Sequence, residues 1–237
     1  MNIDSTSVFV GPNVHAKGPL IRLGVDVKPA YAQRLAELGG GVLDQLLAVL
    51  PGWAGATDAG WIAEAREGRY RLGDLLARLA LELQRVAGQR GDLAWSEATD
   101  DPDLLLVYYS FDSEEIGLEA GEVACDLLAA IAKDEAEDLQ EDLDRFLRYA
   151  DKRTLGPSAM ELVRAAEARD IPWSRLNDAS LIQVGQGKYQ QRVEAALTSR
   201  TPHLAVELAS DKNICNQILG DLGLPVPKQR LVYELDE

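Results

Sequence analysis

The stretch Ser180-Leu-Ile-Gln-Val-Gly-Gln-Gly-Lys-Tyr-Gln-Gln-Arg192, followed closely by Glu207-Leu-Ala-Ser-Asp-Lys212, puts polar chemistry where an ordinary connector would lie. Its apolar flanks, Leu181 to Val184 and Tyr189 to Leu197, read as two strands, and Gly185 and Gly187 between them let the backbone turn tightly with no Cβ in the way. The spacing therefore predicts a hairpin. Lys188 and Arg192 on the run that follows make its turn a candidate cradle for an anion or a peptide. It is not a Walker loop, because Ile182 stands where the first glycine would fall and Tyr189 replaces the Ser or Thr.

Upstream, Asp151-Lys-Arg-Thr-Leu-Gly-Pro157 breaks helical periodicity and coincides with a step in charge. The first 150 residues hold 13 Lys/Arg against 27 Asp/Glu, whereas the rest hold 11 against 12. We place a domain boundary there, giving domains 1–150 and 151–237. In the second, Ala159 to Arg169 has helical spacing with Ser158 as a candidate N-cap, Ile171 to Leu176 is extended, Asp211 to Leu222 reads as a helix and Gln229 to Glu234 as a strand.

In the first domain Ile21, Leu23, Val25 and Val27 alternate with polar residues or glycine, the period of a half-buried strand. Leu43, Leu46, Leu47 and Leu50 recur at helical spacing before Pro51. Gly73 to Val86, Glu115 to Ile131 and Glu135 to Tyr149 read as helices, and Asp103 to Phe111 as a strand. The expected class is α/β: an α+β amino-terminal domain followed by a smaller mixed one.

Composition narrows the function classes. Hydrophobic residues make up 46% of the chain and mean hydropathy is −0.14, with no apolar run near the ~20 residues of a membrane span. Met1-Asn-Ile-Asp-Ser-Thr lacks the cationic flank and apolar core of a signal peptide. Cys125 and Cys215 lie far apart, which fits a reduced, cytoplasmic setting. A net charge of −15 repels nucleic acid and anionic membranes and permits an arginine-rich partner.

Read with Leu155-Gly-Pro-Ser158 before it and Leu224-Pro-Val-Pro227 after it, the glycine stretch resembles the cyanophycin synthetase family. Gly11-Pro-Asn13 and Ile21-Arg-Leu23 are similar to that family's amino-terminal opening, Ala80-Leu-Glu-Leu-Gln84 to its first-domain helix, and Gly156 to Pro227 to the opening of its ATP-grasp ligase domain. The resemblance implies a bacterial cytoplasmic homo-oligomer that uses ATP and Mg2+ to extend a polymer with an aspartate backbone and arginine on each side chain. Activation of the polymer's terminal carboxylate as an acyl phosphate would precede attack by the aspartate amine. Residues 1–150 would dock the polymer and residues 151–237 would hold only the start of the ligase domain, so no catalytic residue is assigned and this stretch alone should not turn over. The alternative is a stand-alone cyanophycin-binding protein without chemistry.

The resemblance makes Ser158, Ser180, Gln183, Gly185, Gly187 and Glu207 candidate polymer contacts, through hydroxyl and amide hydrogen bonds and a carboxylate for a guanidinium. Ser158 as a plain helix cap and Glu207 as a solvated helix residue stand beside that reading. Lys212 is the candidate nucleotide contact, although Asn216 stands where the family commonly has a second cation. The acidic run Asp134 to Asp144 reads as a solvated helix face, His15 and His203 as isolated structural histidines, and the four tryptophans as packing. Members of the family can carry His-x-x-Glu-His on the helix before Ala-Leu-Glu-Leu-Gln, with the residue types of a zinc hydrolase. Here the matching positions are Asp74, Ala77 and Arg78, so neither a metal site nor polymer cleavage is expected.

Overall fold

Ile21, Leu23 and Val25 sit opposite Tyr109, Val107 and Leu105 across an antiparallel pair, and this apolar row is the floor on which the first half of the chain is built. The computed structural model describes residues 1–53, 59–135, 138–177, 179–195 and 197–229. The chain divides into two compact units, Met1–Thr154 and Leu155–Glu237.

The first unit has strands β1 (Asn2–Phe9), β2 (Leu20–Asp26), β3 (Ala94–Ala98) and β4 (Leu104–Ser110) in the order β1-β2-β4-β3, all neighbours antiparallel. Its helices are α1 (Pro29–Leu38), α2 (Gly41–Val49), α3 (Ala59–Arg66), α4 (Leu72–Val86), α5 (Glu114–Lys133) and α6 (Leu139–Arg153). In α4, Leu75, Leu76, Leu79, Ala80 and Leu83 recur every three or four residues and are buried together with Ile116, Leu127 and Phe146. Gly73 lets this helix approach the sheet: a Cβ there would lie 2.6 Å from the Ser96 Cβ. The close approach allows Ser96 N and Oγ both to donate to Asp74 Oδ1, at 2.8 and 2.6 Å. Gln84 Nε2 ties the other end of α4 to the end of β4 by donating to Ser110 O at 3.2 Å.

Expectation and structure differ at several elements. β1, β3, α1 and α3 were not foreseen. β1 and β3 are edge strands of mixed polarity, so neither shows a clean apolar alternation. The acidic run starts its helix at Leu139 rather than Glu135, because Asp134 ends α5 in the left-handed region at φ 65°. α6 then continues to Arg153, so Asp151 to Arg153 belong to the first unit.

The second unit contains α7 (Pro157–Glu167), β5 (Trp173–Arg175), β6 (Leu181–Val184), β7 (Gln191–Glu194), β8 (Leu197–Thr198), α8 (His203–Ser210) and α9 (Lys212–Asp221). Its strands pair antiparallel in sequence order. α7 starts on Pro157, whose fixed φ suits the first helical position, and Gly156 is the N-cap. Ser158 therefore lies inside the first turn, exposed, and makes no cap hydrogen bond. The single strand expected from Tyr189 to Leu197 is instead a 3-10 turn at Gly187–Tyr189, then β7 and β8, with Ala195 between them at φ 51°. α8 was not foreseen. Of the strand expected at Gln229 to Glu234, Gln229 lies outside any strand and the other positions fall outside the described residues. Among the described residues no helix is long and apolar enough to cross a membrane.

Candidate functional site

The predicted hairpin is present as β6 and β7, with Gln183 opposite Arg192 and Ile182 opposite Val193. Strand alternation separates these pairs. Ile182 and Val193 are buried against Leu155, Ala159 and Val163, while Gln183 and Arg192 share the opposite face with Ser174, the neighbour of Gln183 on β5. Gly185 and Gly187 hold φ 79° and 58°, conformations that glycine adopts at little cost, and Gly185 N donates to Pro172 O at 2.7 Å. The turn presents Tyr189, 75% exposed, with Lys188 Nζ 4.9 Å from its ring centroid. Lys188 thus belongs to the turn and not to a strand.

Ser180 is half-buried just before β6 in a segment pinned from two sides. Asn177 Oδ1 accepts from Ala179 N and Leu181 N at 3.0 and 3.1 Å, and Arg175 NH2 donates to Ala179 O at 2.7 Å. Glu207 lies on α8 beside His203, whose Nε2 is 3.4 Å from Glu207 Oε1. The reading of His203 as isolated is corrected here, since a helix that was not foreseen brings the two together one turn apart. Lys212 opens α9 and is exposed, with Asn216 one turn on. Asp211 Oδ1 accepts from Asn213 N and Ile214 N, at 2.9 and 3.0 Å, so a carboxylate already occupies that helix end. The structure joins Gln183 with Arg192 and puts both glycines in the turn, but it places Ser158, Glu207 and Lys212 on three different helices. Among the described residues no hydrogen bond or ion pair links Ser158, Ser180, Gln183, Glu207 and Lys212 to one another.

In the first unit a cavity of about 310 Å³ was missed by sequence reasoning. Trp53, Trp61, Arg78, Arg85 and Asp92 contribute to its lining. The two indoles stack with centroids 6.0 Å apart, and the Arg78 guanidinium carbon lies 4.8 Å from the Trp61 centroid. Arg85 Nε and NH2 both donate to Gly91 O, at 3.3 and 3.0 Å, and its NH1 is 3.6 Å from Glu82 Oε2. Burial of Glu82, 3% exposed, pushes its carboxyl up from the usual glutamate range, opposed by the charge of Arg85. One signal was available in the sequence: Arg78 and Arg85 lie seven apart on one helix, two turns along the same face. The tryptophans gave none, since the cation over Trp61 comes from Arg78 on a different helix.

The same region tests the metal position implied by the resemblance. Asp74 is engaged by Ser96, Ala77 is buried and has no donor atom, and Arg78 is permanently protonated and stacked on Trp61. These residues do not fit a zinc ion. Among the described residues no group of three or more His, Cys, Asp or Glu is arranged to hold a metal.

No family profile matches the chain. Three curated proteins named cyanophycin synthetase align with all of it: those of Geminocystis herdmanii and Synechocystis sp., each 32% identical over 247 residues, and that of Trichormus variabilis, 34% identical over 250 residues. The chain spans only 28%, 28% and 27% of these relatives. From its first residue to its last, it is similar to the amino-terminal part of cyanophycin synthetases.

Proposed function

We propose that the chain serves cyanophycin synthesis as the amino-terminal part of an ATP-dependent amide ligase in the cytoplasm. The first unit docks the polymer, and the residues from Leu155 onward open an ATP-grasp domain. The observation that carries this reading is the alignment with cyanophycin synthetases over the whole chain, which leaves no segment of either unit unmatched. The polymer and aspartate are its substrates, with ATP and Mg2+ supplying the activation, and the working enzyme is a homo-oligomer.

Within this reading Ser158, Ser180, Gln183, Glu207 and the Gly185 to Gly187 turn are polymer contacts. Exposure of all four side chains to at least some degree supports that role. Gln183 and Arg192 on one sheet face offer an amide and a guanidinium to a carboxylate-bearing backbone. Lys212 contacts nucleotide phosphate through Nζ alone, because the amides at the start of α9 are taken by Asp211. The 237 residues by themselves do not complete the ligase, a reading that follows from their covering under a third of the relatives.

The test is to incubate the purified chain with insoluble cyanophycin. Co-sedimentation at low salt that weakens as salt rises is expected, since exposed charge pairs are screened. Failure to pellet at low salt refutes the docking reading. Radiolabelled aspartate entering polymer above the no-ATP control refutes the incomplete-ligase reading. Metal analysis and a polymer-cleavage assay are expected to return no stoichiometric zinc and no short oligomers; one tightly held zinc per chain with oligomer release overturns that.

A further inference from the structure

Alternation along the strands gives the sheet of the first unit two faces. Ile21, Leu23, Val25, Val107 and Tyr109 belong to the core shared with the helices. Leu20, Arg22, Leu104, Leu106 and Tyr108 alternate with them and take the outer face, joined by Phe9 opposite Leu20 and Trp95 opposite Tyr108. Leu20 and Tyr108 are buried although they lie outside that core. The loop between β1 and β2 covers them: the His15 ring centroid is 5.0 Å from that of Tyr108 and 5.4 Å from that of Phe9, and Trp95 stacks on Tyr108 at 4.9 Å. At the other end of the same strands Leu104 and Leu106 are only half-buried, and their cross-strand neighbours Asp26 and Glu97 are exposed.

The two ends of this face complement each other. The loop Val10-Gly-Pro-Asn-Val-His-Ala-Lys-Gly-Pro19 carries Lys17 and no Asp or Glu, in a chain of net charge −15. Val10 and Val14 stand out from it at 73% and 91% exposure. Asn13 fixes its shape, with Nδ2 donating to Gly11 O and Gly18 O at 2.9 and 3.1 Å and Oδ1 accepting from His15 N and Ala16 N at 2.8 and 2.9 Å. A loop held this firmly loses little freedom on binding. The open end is apolar at Leu104 and Leu106 and rimmed by Asp26, Glu97, Asp100, Asp101 and Asp103 against Lys28, all exposed. The overall negative charge drives copies of the chain apart, so a contact between them needs a surface without carboxylates, and the loop supplies one.

We propose that a second copy of this chain seats its β1–β2 loop on the Leu104 to Leu106 end of this sheet and receives the first copy's loop in return. A two-fold axis running across the strands brings the raised end onto the open end in both directions, so every contact is made twice. Val10 and Val14 leave water against Leu104 and Leu106, and Lys17 meets the acidic rim. The inference rests on the homo-oligomer reading above and names the surface that the copies use. The experiment measures self-association of the 237-residue chain by sedimentation velocity over a range of concentrations, beside Val14→Asp and Lys17→Glu, thermal melts establishing that each variant is folded. A dimer is expected that weakens about tenfold or more in Val14→Asp and less in Lys17→Glu, with amide exchange slowing at residues 10–18 and 104–106 together as concentration rises. A dimer of unchanged affinity in Val14→Asp, or protection confined to other surfaces, overturns this face and leaves the homo-oligomer reading standing. A chain that stays monomeric at every concentration overturns the face and, for these residues, that reading with it.

Discussion

The two units bury very different amounts of apolar side chain. In Met1–Thr154 a sheet face and the helices α1 to α6 share one continuous core that includes Leu23, Val107, Leu79, Leu127 and Phe146, all essentially inaccessible. In Leu155–Glu237 the core is Leu155, Ala159, Val163, Ile182 and Val193, and apolar side chains on or next to α8 and α9 remain open, Leu204 at 65% and Leu222 at 71% exposure. Hydrophobic burial is the main favourable term in folding and scales with area removed from water. The first unit therefore has the means to hold its own fold, whereas the second owes its shape mostly to strand pairing and turns. Its candidate contacts are correspondingly solvent-facing and on separate elements.

The largest test of this contrast is to separate the units. Met1–Thr154 is expected to unfold in one cooperative urea transition, and Leu155–Glu237 to show none; a cooperative transition in the isolated second unit breaks the comparison. Phe146→Ala, at a fully buried site, is expected to cost the first unit about 3–5 kcal/mol. A loss under 1 kcal/mol measured by the same urea titration means that α6 is not anchored as described. Gly185→Ala forces an L residue to φ 79° and is expected to cost about 1–2 kcal/mol, all of it in the second unit. Amide exchange in the intact chain reads this out as faster opening of β6 and β7, with first-unit rates unchanged.

The smallest effect concerns pH. Burial raises the Glu82 carboxyl in the folded chain, so between the ordinary glutamate value and the raised one the folded state binds more proton than the unfolded. The stability that this group contributes is full below the ordinary value and is lost as pH climbs through the raised one. Glu82→Gln is expected to flatten the fall in first-unit stability across that window. Parallel pH profiles for the two proteins would rule the assignment out.

The elements legible in the sequence were those whose signal is local. The alternation of Ile21 to Val27, the leucine spacing of α4 and the Gly185 to Gly187 reversal each follow from a backbone period or a glycine preference, and all appear within a residue or two of their expected limits. The site was legible only as separate residues. Ser158 was expected as a cap because hydroxyls cap helices, yet Pro157 takes the first helical position and moves the start upstream. Glu207 gained a histidine partner only once α8 formed.

What the sequence by itself determined is therefore the acidic first half, the alternation of apolar faces and the position of the hairpin turn, since each depends on neighbours in the chain. Only the tertiary structure decided that Asn2–Phe9 and Ala94–Ala98 are strands, because their partners lie on β2 and β4 and pairing imposes what their own pattern does not. It also brought Trp53, Trp61, Arg78 and Asp92 around one cavity. Residues so far apart in sequence meet because helix α4 packs on the sheet, a consequence of burying apolar area that no local window contains.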